Sequence, residues 1–415
     1  MNSHELPPIW RTITSLGVFL LYALVLAVPS GYAYGGGLLF IAGLAFVADH
    51  RPRGLSCEDK TLLLTLLAVF TVALAMFGYH GNPLNSMDGS SRCLLLIPAL
   101  ILLLQAPPSL PALWSGVAIG AISAVPVALW QRYVQGEPRP SGFLTSAIPF
   151  GDVSVLVSLL CLAGMVWAGT QGGRALYWRI ALGIGFLAGL YASLLSGSRG
   201  GWIAIPPVLI LLGVATLRRT RLKHALYAIV LAAAGIALAA GLTHKQIALR
   251  YQLAVQEITN YYTGVRIDTS IGMRLEAWRV AAISIAEHPL LGWSYDDYEK
   301  HVDQLTSSRR ADASIKVLAN THNNYIEAWL HQGLPGLLAL LALFLIPFWM
   351  FCKRLRSPDK ATQALALAGA TLQMSFAVFA LTEVILGRVS EMSLYLLSVI
   401  VLWACLRAKP RLAQE

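Results

Sequence analysis

The chain alternates long apolar runs with short polar connections, and only one polar stretch, residues 242–332, is long. At about 20 apolar residues per bilayer crossing, spans are expected at roughly 12–29, 32–48, 61–77, 92–106, 111–130, 152–170, 177–196, 201–217, 224–241, 333–352, 361–386 and 389–406. That makes about twelve. The pattern predicts an all-α polytopic membrane protein in three parts: nine spans over 1–241, one large loop over 242–332, and three spans with a short tail over 333–415. Helix-like periodicity at about 245–260 and 273–287 makes the large loop mostly helical. At its far end, His322 precedes a helical pattern with Tyr325, Ile326, Trp329 and Leu330 on one face. Gly333, Pro335 and Gly336 then mark the end of one helix and the start of the next.

Composition supports this reading. Hydrophobic residues make up 56% of the chain and charged residues 13%, with a mean hydropathy of +0.63, which excludes an ordinary soluble globular domain. A net charge of +10 could suit nucleic acid, but the basic residues fall in short clusters between apolar runs, as topology signals do. No nucleic-acid partner is expected. With both ends cytoplasmic, Arg51, Arg53 and Lys60; Arg174 and Arg179; Arg218, Arg219, Arg221 and Lys223; Lys353, Arg354, Arg356 and Lys360; and Arg407, Lys409 and Arg411 all lie on one side. The first apolar run is not followed by a cleavage-site pattern and reads as a retained helix. Five scattered cysteines imply neither a disulfide framework nor a thiolate metal site.

The opposite, outward side then receives 78–91, 131–151, the tight turn 196–201, the large loop and the turn 387–391. Arg199 sits in Ser196-Gly197-Ser198-Arg199-Gly200-Gly201, where exposed backbone amides beside a guanidinium suit an anion such as phosphate; the bland reading is an arginine snorkelling at a membrane edge. Arg274 opens a helical pattern and shares a face with Trp278; a cation there either helps hold an anion or pairs with a surface carboxylate. Arg139, in a proline-rich outward loop, either touches substrate or stiffens the loop. Arg388 could pair with Glu391. His322 is a candidate base or a structural cap. No spacing of histidines or acids points to a metal.

Together these residues resemble the O-antigen ligase and polymerase superfamily of bacterial envelope glycosyltransferases, and the ligase branch most closely. That branch carries a histidine, a small polar residue, nine further residues, a glycine, two more and a small residue, matched here by His322, Asn323, Gly333 and Gly336. The Ser-x-Ser-Arg-Gly turn is matched by Ser196 to Gly200, the basic–aromatic pair by Arg274 and Trp278, and an earlier outward loop by Arg139 to Gly142. The resemblance implies a GT-C-like fold with a periplasmic loop between the ninth and tenth spans. It implies an inner-membrane enzyme, a monomer, that moves O-antigen from undecaprenyl pyrophosphate to a lipid A-core sugar with inversion, without cofactor or metal. Pyrophosphate leaves readily, so the site needs cations for its charge, Arg199 and Arg274, more than it needs an acid. The acceptor hydroxyl needs a base, for which the ordinary histidine pKa suits His322. Asn323 and Tyr325 either orient the histidine or touch sugar. A polymerase or a protein O-oligosaccharyltransferase shares this plan; a transporter of the same lipid-linked sugar is the alternative of another class, disfavoured by the gathering of arginines at one face.

Overall fold

The computed structural model describes residues 6–50, 54–216 and 252–412. The expected ninth span at 224–241, the start of the helical pattern at 245, and Arg51, Arg53, Arg218, Arg219, Arg221 and Lys223 lie outside the described residues. Among the described residues every regular element is helical: α1 (Pro8–Leu24), α2 (Gly31–Asp49), α3 (Cys57–His80), α4 (Asp88–Leu95), α5 (Ile97–Gln105), α6 (Leu110–Tyr133), α7 (Ala147–Ala168), α8 (Ala175–Ser196), α9 (Ile205–Thr216), α10 (252–262), α11 (Ser270–Glu287), α12 (Tyr295–Ser307), α13 (Asn324–Cys352), α14 (Lys360–Phe379) and α15 (Val389–Leu412). Nine helical segments among the described residues are long and apolar enough to cross a membrane, and α1 and the 200–216 segment are shorter apolar helices.

Several boundaries differ from the expected ones for identifiable reasons. The fourth apolar run begins earlier, with a 3-10 turn at Leu84–Met87, and is broken at Leu96 because Pro98 can be accommodated only in the first turn of a new helix, α5. The expected span 361–386 stops at Phe379, and Leu381–Arg388 becomes a loop. The first turn of the 201–217 run is 3-10, Gly200–Ala204. Helix α12 was not foreseen, although Ser294 and Asp297 carry a capping signal: the Ser294 hydroxyl accepts the Asp297 amide at 3.0 Å.

Helices α7, α14 and α15 are largely enclosed by their neighbours, and their mostly apolar surfaces pack into one core with Trp114, Phe150, Phe376 and Trp403. Around them α1, α3, α6 and α8 expose large apolar side chains such as Leu64, Ile119 and Leu187, as lipid-facing helices do.

The two ends of the bundle differ in chemistry. At one end α3 starts with a capping box between Ser56 and Asp59. The buried Asp59 carboxylate also takes the Trp403 indole at 2.9 Å and pairs with Arg407 at 2.7 Å. Beside it Glu58 pairs with Arg354 at 2.5 Å, and Arg179 and Lys360 approach Gly169. The basic residues of the expected cytoplasmic loops therefore share one end where they are described.

The other end carries the loops 139–146, 196–201, 320–324 and 381–388, and a further layer, α10–α12, is bonded to the 320–324 loop through Trp278. That layer is tied together by Glu276, which is buried and accepts from Arg279 at 2.6 and 2.9 Å, from the Asp312 amide at 3.0 Å and from the Tyr261 hydroxyl at 3.0 Å. Burial alone would raise the Glu276 pKa, but the Arg279 bonds and charge, with the Asp312 amide, hold it below the usual carboxylate value.

Asp59 joins α3 to α15 through one buried charge. Asp59→Ala should therefore cost about 3–5 kcal/mol by leaving Arg407 facing no carboxylate there. Thermal unfolding in detergent would read this as a clear fall in Tm, and an unchanged Tm would show that the cluster is not structural.

Candidate active site

The site is built where the start of α13 meets the end of α14. A helix begins with backbone amides that lack partners and ends with carbonyls that lack them. Here each end supplies what the other is missing. The Asn324 amide donates to Ala380 O at 2.8 Å, the Asn323 side chain to Leu381 O at 3.2 Å, and the Tyr325 hydroxyl to Ala377 O at 2.8 Å. Asn323 also caps its own helix, its Oδ1 accepting the amides of Tyr325 and Ile326 at 3.0 and 3.1 Å. Asn323 and Tyr325 are thus both bonded to the end of the neighbouring helix.

His322, the residue before this cap, has φ 51°. A non-glycine residue in the left-handed region is strained by about 1–2 kcal/mol, and such strain persists only where the surroundings over-determine it. They do so here. Asn320 Oδ1 accepts the His322 amide at 2.9 Å, Glu327 takes both the amide and the hydroxyl of Thr321 at 3.0 and 2.7 Å, and the Trp278 indole donates to Thr321 O at 2.8 Å. The backbone turn directs the imidazole at the 381–388 loop, where His322 Nδ1 lies 3.0 Å from Glu383 Oε2.

Glu383 is 1% exposed and also pairs with Arg388 at 3.2 Å. Burial by itself would raise its pKa, but the His322 hydrogen bond and charge, then Arg388, outweigh it and leave the carboxyl below its usual range. An ionised carboxylate only accepts hydrogen bonds, so it assigns the proton to His322 Nδ1 and the free lone pair to Nε2. Nε2 has no partner among the described residues, and the side chain is 22% exposed.

Glu383 was missing from the expected site. It lies in an apolar run, Leu381 to Leu386, that reads as the end of a span. The signal that points to it is an ionisable residue inside such a run. The expected Arg388–Glu391 pairing is not what the structure contains: Arg388 bonds Glu383 and, at 2.7 Å, Thr145, while Glu391 is buried at the start of α15 and accepts from Ser390. Arg388 thereby links the 139–146 loop to the histidine's carboxylate.

The Ser196–Gly201 turn packs on the same loop. A methyl group on Gly200 would lie 2.6 Å from the Thr382 hydroxyl, and one on Gly201 2.8 Å from Asp152 Oδ1. Glycine is therefore required for the turn to reach Thr382, one residue from Glu383. Ser198 bonds Asp152 at 3.3 Å, and the exposed Arg199 projects from this turn. Arg139 Nε reaches Ser196 O at 3.4 Å, and its loop is pinned by a two-point pairing of the Gln131 amide with Gly142, at 2.5 and 2.7 Å. His322 and the Arg199 turn thus both meet the 381–388 loop, which carries Arg388, while Arg139 bonds to that turn. Arg274 is connected less directly: it is half-buried on α11, one turn before Trp278, whose indole holds Thr321.

A cleft of about 630 Å³ opens on the other flank of the His322 segment. Asn320, Glu327, His331 and Arg388 line it, whereas His322, Arg139, Arg199 and Arg274 do not. The candidate site is thus defined by the hydrogen-bonded chain of His322, Glu383 and Arg388 and not by the cleft.

Comparison with known proteins bears on this arrangement. The family model described as "O-Antigen ligase" matches residues 184–341, from α8 through the arginine turn and α11 to the His322 cap and the first part of α13. The 381–388 loop with Glu383 and Arg388 lies beyond that segment. The chain is 27% identical over 360 residues to an uncharacterized protein of Haemophilus influenzae, covering 86% of this chain and 88% of the relative. It is 28% identical over 350 residues to an O-antigen ligase of Pseudomonas aeruginosa, covering 78% of each. The histidine-bearing cap, the glycine turn and these matches agree: the chain is similar to the O-antigen ligase and polymerase family of membrane proteins.

Proposed function

We propose that the protein is an O-antigen ligase, a metal-independent inverting glycosyltransferase that moves O-antigen polysaccharide from undecaprenyl pyrophosphate to a sugar of lipid A-core. The observation that carries the reading is the Nδ1 contact of His322 with the buried Glu383, on a loop that Arg388 and the Arg199 turn also contact. The basic end of the bundle is read as cytoplasmic, so the site faces the periplasm from the inner membrane.

In this reading the acceptor hydroxyl oxygen attacks the anomeric carbon of the donor sugar from the face opposite the pyrophosphate. Its proton passes to His322 Nε2 as the new C–O bond forms. The anomeric C–O bond breaks with its electron pair going to the pyrophosphate, and inversion follows. Glu383 fixes the imidazole tautomer and offsets the positive charge that appears on the ring. Arg199 and Arg274, with Arg139 beside them, receive the charge growing on the departing pyrophosphate, in a site where fixed cations need no reorganisation.

Two predictions follow from these assignments. His322→Ala and Glu383→Gln should both fold and both lose kcat, by up to the full contribution of a general base, on the order of 10²–10⁴-fold. Turnover of purified protein with lipid-linked glycan and lipid A-core measures this; near-normal kcat in Glu383→Gln would reduce the carboxylate to a structural group. Arg199→Ala and Arg274→Ala should instead weaken donor use, raising KM for the lipid-linked glycan by about tenfold or more. Equal donor KM in the three proteins would remove the arginines from the donor site. Transfer only to protein, or only to another lipid-linked repeat, would replace the ligase reading with one of its relatives.

A further inference from the structure

Helix α12 does not close fully on the segment it faces. A helix that packs on a core repeats apolar residues at i, i+3, i+4 and i+7, and in α12 these positions hold Tyr295, Tyr298, Glu299 and Val302. All four line a cavity of about 290 Å³ whose far wall is the 315–321 segment. Apolar packing between the two begins only at Val302 and Leu305, against Ile315 and Leu318. The first turns of α12 therefore stand off from the segment and leave a cavity near the lower end of small-ligand sites, about 300–1,000 Å³.

The polar groups around it are unused. A tyrosine hydroxyl inside a protein usually finds a partner. Here the hydroxyls of Tyr295 and Tyr298, the Glu299 carboxylate and the Asn320 side-chain nitrogen bond no other described residue. Tyr295 stacks on His331 at 4.1 Å and is still 41% exposed, so aromatic surface is left over for a ligand.

The composition of the wall selects among ligand classes. Tyrosine hydroxyls donate and accept, the Asn320 amide donates and the Glu299 carboxylate accepts. A phosphate only accepts, and it would meet Glu299 and Glu327, while the one lysine in the wall, Lys316, is already paired with Asp303 at 2.6 Å. An acyl chain would leave all of these groups without hydrogen bonds. A sugar ring meets both demands, because its hydroxyls donate and accept and its C–H face packs on an aromatic ring.

The cavity also adjoins the candidate base. It shares Tyr295, Ala319, Asn320, Glu327 and His331 with the larger cleft. Asn320 holds the His322 amide through its Oδ1 at 2.9 Å, and Thr321, the residue before the base, is part of the wall.

We infer that the cavity between α12 and the 315–321 segment is a glycan subsite, in which Tyr298, Glu299 and Asn320 bond the hydroxyls of a sugar unit and Tyr295 takes its C–H face. The inference rests on the glycosyltransferase reading above for the presence of a glycan. Two glycans enter that reaction, the O-antigen chain and the core oligosaccharide. They share this chemistry, and the experiment separates them.

Purified full-length protein is titrated calorimetrically with two lipid-free probes, O-antigen oligosaccharide released from its carrier and deacylated core oligosaccharide. Tyr298→Phe with Glu299→Gln removes a hydroxyl and a charge while keeping the shape of the wall. Ala319→Trp fills the place where cavity and cleft meet, and Ala319 is exposed, so both variants should keep the wild-type Tm. The wild type should bind at least one probe, and each variant should weaken that binding by about tenfold. The probe that is weakened identifies the occupant, and in turnover the KM of the matching substrate should rise with kcat kept. Unchanged affinities in both variants, or no binding of either probe by the wild type, would overturn the inference. Binding without transfer to lipid A-core would sink the ligase reading and leave the subsite standing, whereas transfer with neither probe bound would do the reverse.

Discussion

The site depends on a junction between two helix ends. The start of α13 offers unpaired amides and the end of α14 offers unpaired carbonyls, and Asn323, Asn324 and Tyr325 join them through bonds to Leu381, Ala380 and Ala377. The junction fixes the distance between residue 322 and residue 383, which are far apart in the chain. It also explains why the helix stops at Phe379: its last carbonyls already have partners outside it, so the chain is released to form the 381–388 loop. A histidine and a carboxylate carried by two different segments are thereby held at 3.0 Å without either being on a regular element.

Strain and polarity are both concentrated there. His322 occupies a backbone conformation that costs energy, and Asn320 holds it by its own amide while Glu327 and Trp278 hold the preceding Thr321. Glu383 is buried but not isolated, since His322 and Arg388 each bond one of its oxygens. A buried charge with that many partners is a costly arrangement to assemble and a poor one to perturb. The covering layer contributes through Trp278, so α11 acts on the histidine even though its Arg274 is a turn further away. On the far side of the same segment, the cleft shares Asn320 and Arg388 with the site.

Much of this was legible in the chain. Hydropathy gave the all-helical, multi-span character, because lipid-facing helices must be apolar, and nine of the described helical segments are long and apolar enough to cross a membrane. His322 was visible as a titratable group before a glycine-broken helix, and Ser196–Gly201 as a turn too small to be a span end alone. What failed were features whose cause is not local. The apolar run through Leu386 reads as one helix until the bonds from α13 are known, and that concealed Glu383. The left-handed backbone of His322 has no local signature, because no glycine or asparagine occupies the position. Arg388 was paired with its neighbour Glu391 by proximity in sequence, whereas the turn of the 381–388 loop brings it to Glu383 and Glu391 accepts from Ser390 instead. The 3-10 turns and the break at Leu96 follow from glycines and Pro98, which mark interruptions without saying on which side the helix continues.

The central claim is that His322 acts through its ring nitrogen as a proton acceptor, not through its bulk or as a cap. Chemical rescue addresses that claim directly. His322→Gly should be nearly inactive with lipid-linked glycan and lipid A-core, and added imidazole should restore turnover in proportion to the concentration of its unprotonated form, because a small base can occupy the space between Glu383 and the acceptor. Substantial activity of His322→Gly without imidazole, or rescue that follows the protonated form, would contradict the account.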